Sequence, residues 1–315
     1  MSAGGGTRAI VAALSANLGI AAAKFVAFAI TGSSSMLAEA MHSVADSGNQ
    51  ALLLIGGRRA SRAATAEHPF GYGRYRYFYG FVVALVIFSL GSLFALYEGV
   101  DKVRHPHEPT TPIVAVIVLV VAIALESYSF RTAIVESNHV REGAGWVAFI
   151  RRAKAPELPV VLLEDLGALV GLAFALFGVG MAWITGDPIW DAVGTLAIGV
   201  LLGVIAIVLI AETKSLLIGE SANPESLERI RRALVQGRIN RIIHLRTMHL
   251  GPDELLVAVK VALPAATTLA EVAEEINDAE ARIRAAEPIA RVIYIEPDLY
   301  HPEQAAEAVT SGGAS

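Results

Sequence analysis

Two long stretches of this chain contain no residue that carries a full charge at neutral pH. No Asp, Glu, Lys or Arg occurs between Leu166 and Gly186, and none occurs between Ala192 and Ala211. A helix that crosses a bilayer needs about 20 consecutive apolar residues, and helices buried in soluble proteins are rarely so long and so uncharged. Lipid offers the backbone no hydrogen-bond partner, so each stretch must be helical. The sequence therefore predicts an α-helical membrane protein.

Composition supports this interpretation over the whole chain. Of its 315 residues, 54% are hydrophobic and 17% are charged, whereas charged residues make up about a quarter of an average soluble domain. The net charge of −5 argues against a nucleic-acid partner. The absence of cysteine excludes disulfides and thiolate metal sites. Six stretches reach spanning length, and the first is expected to be a retained span and not a cleaved signal peptide: Ala9–Ile30, Met36–Gly57, Phe78–Tyr97, Pro112–Phe130, Val160–Ile184 and Ile189–Ala211.

Basic residues are distributed unequally among the loops. Segments Arg58–Tyr77 and Arg131–Glu157 each contain five Lys or Arg residues, but Thr31–Ser35 and Thr185–Pro188 contain none. Cytoplasmic loops carry the excess of basic residues in membrane proteins. We therefore expect both basic loops and both termini on the cytoplasmic side of a cell (inner) membrane, in a polytopic protein with six transmembrane helices.

The chain changes character after the last apolar stretch. Residues 219–302 are predicted to form a soluble, ferredoxin-like α/β domain with the order α-β-β-α-β, following a transmembrane domain at residues 8–214. Asn223 and Pro224 are typical of the start of a helix, here expected to end near Val235. Alternating apolar residues predict a central strand, an apolar stripe from Leu269 to Ile283 predicts a second helix, and Arg291–Glu296 is expected to be the last strand. Residues 303–315 are predicted to be a disordered tail.

Ionisable residues within the apolar stretches indicate where the chemistry lies, because charge in lipid is costly. His42 and Asp46 occur in the second stretch, and Glu164 and Asp165 occur in the fifth. Residues four apart share one face of a helix and are separated by about 6 Å along its axis. One imidazole and one carboxylate supply half of a tetrahedral zinc site, which carboxylates from a neighbouring helix can complete. The alternative is a hydrogen-bonded pair that only ties helices together.

Other polar residues within the stretches are assigned structural roles. Lys24 is expected to snorkel or to pair with an acid, and Asn17 to bond a neighbouring helix. Glu126 is the exception, because it is a candidate proton or metal relay. Four glycines of the fifth stretch fit close helix packing: Gly167, Gly171, Gly178 and Gly180. No nucleotide-binding or hydrolase motif is present, and Ser43 and Ser47 have no evident oxyanion hole beside them, so an enzyme is not expected.

Three segments resemble a known family of membrane proteins. GSSSMLAEAMHSVADSGNQ (residues 32–50) and the overall plan resemble the cation diffusion facilitator family, over about residues 8–300. VLLEDLGA (161–168) and DPIWDAVG (187–194) resemble the branch that includes the animal mitochondrial zinc transporter and related bacterial proteins. The resemblance implies a secondary transporter that exports a divalent metal, zinc above all, in exchange for protons by alternating access. It also implies a homodimer formed through the C-terminal domain.

The resemblance also implies a transport site with two ligands from span two and two from span five. The span-two ligands are His42 and Asp46, and one span-five ligand is Asp165. This sequence departs from the family pattern at the other span-five position, where Val161 replaces the usual ligand. Glu164, Asn17, Glu126 or a water can take that place. One imidazole among carboxylates makes a harder ligand set than the usual zinc site, so cobalt, manganese and iron remain open as substrates.

The family's accessory metal sites are depleted in this sequence. In the loop between spans two and three, His68 is retained, but Tyr72 stands at a usual His position. In the tail domain, apolar residues such as Val259 and Ile295 replace zinc-binding histidines, and His244 and His249 are interpreted as ordinary strand or loop residues. Two alternative functions remain, a transporter of small organic cations and a membrane scaffold that does not transport.

Overall fold

The computed structural model of the chain describes residues 4–31, 34–106, 112–141, 143 and 145–300. The predicted tail, residues 303–315, lies outside them. The described residues up to Arg62 and from Arg74 to Leu217 form one compact unit. Segment Ala63–Gly73 and the described residues from Ile218 onward form a second.

The described residues up to Ile218 are mostly helical. The helices are α1 (Gly4–Thr31), α2 (Ser34–Ala60), α3 (Tyr75–Val82), a π-helical segment (Val83–Phe88), α4 (Ser89–Arg104), α5 (Pro112–Val140), the short α6 (Trp146–Arg152), α7 (Glu157–Thr185) and α8 (Ile189–Ile218). Segment α3, the π-helical segment and α4 follow one another without interruption. In the first unit α1 packs against α2 and α5, and α5 packs against α7.

Five helical stretches are long and apolar enough to cross a membrane: Ala9–Val26, Tyr75–Arg104, Ile113–Val140, Glu157–Thr185 and Ile189–Ile218. They coincide with five of the six predicted spans. Helix α2 coincides with the other one, but over its described residues it does not meet the same criterion. Its middle contains a run of polar side chains: Ser43, Asp46, Ser47, Asn49 and Gln50. The chain is a multi-pass membrane protein with a C-terminal domain.

Helix α5 is longer than the apolar stretch that predicted it. The apolar stretch ends at Phe130, but the helix continues to Val140. Between these residues there is no proline or glycine, and the first glycine beyond them, Gly143, has a φ of 85°. Charged residues such as Arg131 end an apolar stretch without ending a helix. As a result, Glu126 lies near the middle of α5.

Glycines allow α7 and α8 to pack closely. A Cβ atom on Gly178 would lie 2.9 Å from the carbonyl oxygen of Trp190, and one on Gly194 would lie 2.9 Å from that of Phe174. Both distances are too short for any side chain. The predicted packing role is confirmed for Gly178, whereas Gly180 has no described atom within 4 Å of such a Cβ.

The second unit contains the predicted α-β-β-α-β order. Its elements are α9 (Pro224–Leu234), β1 (Arg241–Gly251), β2 (Glu254–Ala262), α10 (Leu269–Ala286) and β3 (Ala290–Asp298). Strand β2 is central, antiparallel to β1 and parallel to β3. The side chain of Asn223 accepts a hydrogen bond from the backbone N–H of Ser226, as expected of a helix cap. Leu269 does not belong to the buried stripe of α10, because it is the first helical residue and is 85% exposed.

The loop Ala63–Gly73 packs against the β1–β2 turn within this second unit. A Cβ atom on Gly73 would lie 2.9 Å from the carbonyl oxygen of Leu250 and 3.0 Å from the Cα of Gly251. The backbones therefore touch directly, which only glycine allows at this position. No local sequence pattern indicates this contact between segments distant in the chain.

Candidate metal site

Helix α2 carries the first two residues of the predicted site. The helix includes His42, but the side chain of His42 lies outside the described part of the structure. Asp46 is half-buried. One turn further along α2, the side chains of Asn49 and Gln50 are buried. This face of the helix is therefore polar in the interior of the first unit.

Helix α7 contributes two adjacent acids that face different neighbours. The carboxylate of Asp165 accepts a hydrogen bond of 2.7 Å from the hydroxyl of Ser129 on α5. The Oε1 atom of Glu164 accepts hydrogen bonds from Gln50 Nε2 at 2.5 Å and from Asn49 Nδ2 at 3.4 Å, both on α2. Adjacent residues on a helix point about 100° apart. Asp165 therefore meets α5 while Glu164 meets α2.

Glu164 has one oxygen engaged and one oxygen open. Its Oε2 atom is buried and has no hydrogen-bond partner among the described residues. A buried polar atom without a partner is costly, and such atoms often mark a place where a ligand or ion binds. The open oxygen makes Glu164 suitable as a metal ligand whose orientation α2 has already set.

Four acids in this region interact through their charges. The charge of Glu126 on α5 interacts with those of Asp46 and Asp165, and the charge of Glu164 interacts with the same two groups. The cluster also includes a positive charge, because the ammonium group of the buried Lys24 on α1 attracts the carboxylate of Glu126. Burying several like charges is unfavourable unless a cation compensates them.

The described side chains of the cluster do not form a closed coordination site. Among the described side chains, no three of His, Asp or Glu converge closely enough to hold an ion together. The structure thus places Glu164 within electrostatic reach of both Asp46 and Asp165, while the side chain of His42 lies outside the described residues. Carboxylate oxygens with one imidazole nitrogen fit a divalent cation of borderline or hard character.

Three contributors to this region were not assigned a role from the sequence: Asn49, Gln50 and Ser129. Asn49 and Gln50 come three and four residues after Asp46, on the same face of α2. Ser129 comes three residues after Glu126 on α5. A test for neutral polar residues one turn away from each intramembrane acid would have found them. Asn17 donates a 3.4 Å hydrogen bond to Gln50 Oε1, which agrees with its predicted helix–helix role.

The accessory positions have ordinary protein contacts. The rings of His68 and Tyr72 pack edge to face with centroids 4.6 Å apart, and the Tyr72 hydroxyl lies 3.0 Å from Thr65 Oγ1. In the second unit Val259 is a buried core residue, and His249 is buried in β1. These residues have structural neighbours in the described part of the chain.

In the described part of the first unit, long apolar helices enclose a polar, acidic interior, which is unusual for a membrane protein without a polar substrate. Residues 10–218 match the family described as the cation efflux transmembrane domain. The chain therefore belongs to the cation diffusion facilitator family, as the sequence resemblance predicted.

Several proteins are similar over the same region. The proton-coupled zinc antiporter SLC30A9, mitochondrial, of Xenopus laevis is 32% identical over 223 residues, which cover 70% of this chain and 40% of that protein. Metal tolerance protein C4 of Arabidopsis thaliana is 33% identical over 225 residues, covering 71% of this chain and 49% of that protein. Magnetosome protein MamB of Magnetospira sp. (strain QH-2) is 25% identical over 191 residues, 61% of this chain and 60% of that protein. The chain spans less than half the length of the first two.

Proposed function

We propose that this protein transports a divalent metal ion, zinc in the first place, across a membrane in exchange for protons. The observation that carries the proposal is the buried Glu164–Asp165 pair of α7, which shares an electrostatic cluster with Asp46 of α2 inside apolar helices. Charges in such a place are costly unless a cation compensates them. The names of the similar proteins, a proton-coupled zinc antiporter and a metal tolerance protein, support the choice of substrate.

The proposed ligands are His42, Asp46, Asp165 and Glu164, and the three carboxylates, which do not converge in the described structure, draw together when the ion binds. Glu164 takes the fourth place because its Oε2 atom is open while Gln50 holds its Oε1 atom. Asn17 is less suitable, because its amide is engaged with Gln50. A site with three carboxylates and one imidazole can also accept manganese, iron or cobalt.

Proton exchange follows from the chemistry of these ligands. Carboxylates bind a metal ion when ionised and an imidazole binds it when neutral, so the metal and protons compete for the same groups. If the site opens alternately to the two faces of the membrane, metal from the cytoplasm binds first, and protons from the opposite side then release it. The protein acts as a secondary transporter and not as an enzyme.

Three further features belong to this proposal. Helix α2 also crosses the membrane, which brings the number of spans to six and puts the proposed ligands inside the membrane. The protein lies in the cell (inner) membrane, with both termini on its cytoplasmic side. Residues 8–214 are the transport domain and residues 219–302 the cytoplasmic domain. That cytoplasmic domain joins two copies of the chain into a homodimer.

The experiment is metal uptake into proteoliposomes under an imposed proton gradient. Asp46→Ala is expected to abolish zinc uptake, and the exposed Asp101→Asn on α4 serves as a matched control with normal uptake. Competition by manganese, iron, cobalt and a small organic cation identifies the preferred substrate. Zinc uptake that persists in Asp46→Ala would overturn the site assignment, and a wild-type protein without any flux would favour a scaffold.

A further inference from the structure

Lys24 is a cationic residue inside the first membrane-crossing helix. It lies within the apolar stretch Ala9–Val26 and is only 6% exposed. Its ammonium group donates a hydrogen bond of 2.9 Å to the hydroxyl of Ser43 on α2. The side chain therefore turns into the protein interior and does not snorkel toward the membrane surface. An ammonium group in this environment costs several kcal/mol unless anionic groups compensate it.

The position of Lys24 relates it to the proposed transport site. Its hydrogen-bond partner, Ser43, directly follows His42 and precedes Asp46 by three residues. Its charge acts on Glu126, whose carboxylate also interacts with Asp46 and Asp165. Among the groups whose charges act on Glu126, the acids are repulsive and Lys24 is attractive. The ammonium is thus part of the same electrostatic cluster as the acids.

We propose that the Lys24 ammonium is a fixed countercharge of the transport site, which compensates the acids when no metal is bound and weakens metal binding enough to permit release. This inference rests on the proposed function. A divalent ion entering the cluster brings two positive charges close to a third. The repulsion raises the free energy of the metal-bound state, whereas the same ammonium stabilises the metal-free state.

The size of the effect can be set from Coulomb's law. At an effective dielectric constant of about 20, a unit charge about 10 Å from a divalent ion changes its affinity by about a hundred-fold, so an effect of at least about ten-fold is expected even with additional screening. A transporter needs such a repulsion, because a metal ion that is held too tightly leaves its site slowly. Removal of the Lys24 charge is therefore expected to strengthen metal binding and to slow turnover.

A purely structural role for Lys24 makes a different prediction. If Lys24 only ties α1 to α2 through Ser43, loss of either side chain reduces stability and leaves metal affinity equal or weaker. Lys24→Gln removes the charge and keeps a hydrogen-bond donor. Lys24→Arg keeps the charge, and Ser43→Ala removes only the hydrogen-bond acceptor. These three variants separate the charge from the contact.

The test is calorimetric titration of the purified full-length protein with Zn²⁺, together with its melting temperature with and without Zn²⁺. We expect Lys24→Gln to bind Zn²⁺ about ten-fold more tightly or better, and Lys24→Arg and Ser43→Ala to bind like the wild type. Without metal, Lys24→Gln should melt lower than the wild type, and Zn²⁺ should raise its melting temperature by more.

The outcomes distinguish this inference from the proposed function. Equal or weaker Zn²⁺ binding by a folded Lys24→Gln protein, beside a wild type that binds, overturns the countercharge role alone. Tighter binding in Lys24→Arg as well shows that the charge is not responsible and also overturns it. A folded wild-type protein that does not bind Zn²⁺ overturns the proposed function and this inference together.

Discussion

Gln50 of α2 donates a 2.5 Å hydrogen bond to Glu164 of α7, and its amide oxygen accepts a bond from Asn17 of α1. One fully buried amide thus connects three helices at the acidic cluster. A carboxylate whose oxygen is held in this way has few orientations available to it. The arrangement fixes the position of Glu164 in the metal-free protein, which would limit the ordering that the proposed metal binding requires.

Replacement of Gln50 by leucine is expected to destabilise the protein. Gln50→Leu fills similar space but leaves the Glu164 carboxylate without its closest donor, at a cost of about 1–3 kcal/mol. The check is the melting temperature of the purified protein and its Zn²⁺ affinity, both of which should fall. Ser15→Ala is the control, because Ser15 is exposed and donates a hydrogen bond to the Val11 carbonyl of its own helix. A Gln50→Leu protein as stable as Ser15→Ala would contradict the prediction.

Ser129 is expected to act as a positioning residue for Asp165. Loss of its 2.7 Å hydrogen bond in Ser129→Ala should weaken Zn²⁺ binding by about ten-fold or more, the usual effect of removing a group that orients a metal ligand. Ser129→Thr keeps the hydroxyl and should bind nearly normally. Ser137 provides a matched control on α5, since its buried hydroxyl has no hydrogen-bond partner in the described part of the chain. Equal affinities for the Ser129→Ala and Ser137→Ala proteins would disprove this role.

An ion pair joins the first turns of α3 and α7. The guanidinium of Arg76 donates two hydrogen bonds to the carboxylate of Glu157, which is buried. Removing one partner of a buried pair leaves a charge without compensation and costs about 3 kcal/mol. Glu157→Gln should therefore lower the melting temperature of the protein.

A second variant tests the reason for that loss. In Arg76→Met/Glu157→Leu both charges are absent, and apolar replacement of a whole buried pair is often close to neutral. Its melting temperature should exceed that of Glu157→Gln. If the double variant melts at the lower temperature of the two, uncompensated charge is not the cause.

Glu275 of α10 is expected to make the second unit sensitive to acid. Burial raises the pKa of this carboxyl, but hydrogen bonds from the Arg238 backbone N–H and the Arg282 guanidinium outweigh burial and lower the pKa below its usual 4.5. A pKa lowered by folding contributes stability above the unfolded value, and this stability is lost as the pH falls through the folded value. Glu275→Gln should therefore cost about 2 kcal/mol at neutral pH.

The pH dependence supplies the decisive comparison for Glu275. The difference from the wild type should be constant above pH 4.5 and should shrink below it, because the wild type then protonates Glu275 as well. Hydrogen–deuterium exchange of the α10 amides measures this difference. Glu274→Gln is the control, since Glu274 is exposed and its carboxylate comes no closer than 3.7 Å to the Arg238 guanidinium. A difference that grows toward low pH would show that the sign is wrong.

The acids of the proposed site stand out in the sequence because their surroundings are apolar. Glu164 and Asp165 stand beside a long segment without charge, where an ionisable group is rare enough to be noticed. Neutral residues such as Gln50 and Ser129 give no comparable signal, since amides and hydroxyls occur in many membrane helices for packing alone. Their roles depend on which helix lies opposite, and no local pattern contains that information.

Local sequence patterns were sufficient for five of the six predicted spans, for the alternating residues of β2 and for the Asn223 cap, because each depends on residues close together in the chain. Contacts between distant segments needed the folded molecule. Examples are Glu164 turning to α2 while Asp165 turns to α5, the loop at Gly73 lying on the β1–β2 turn, and Lys24 directed toward Ser43. Packing decides such pairs, since the direction and partner of each side chain are set by neighbours that are remote in sequence.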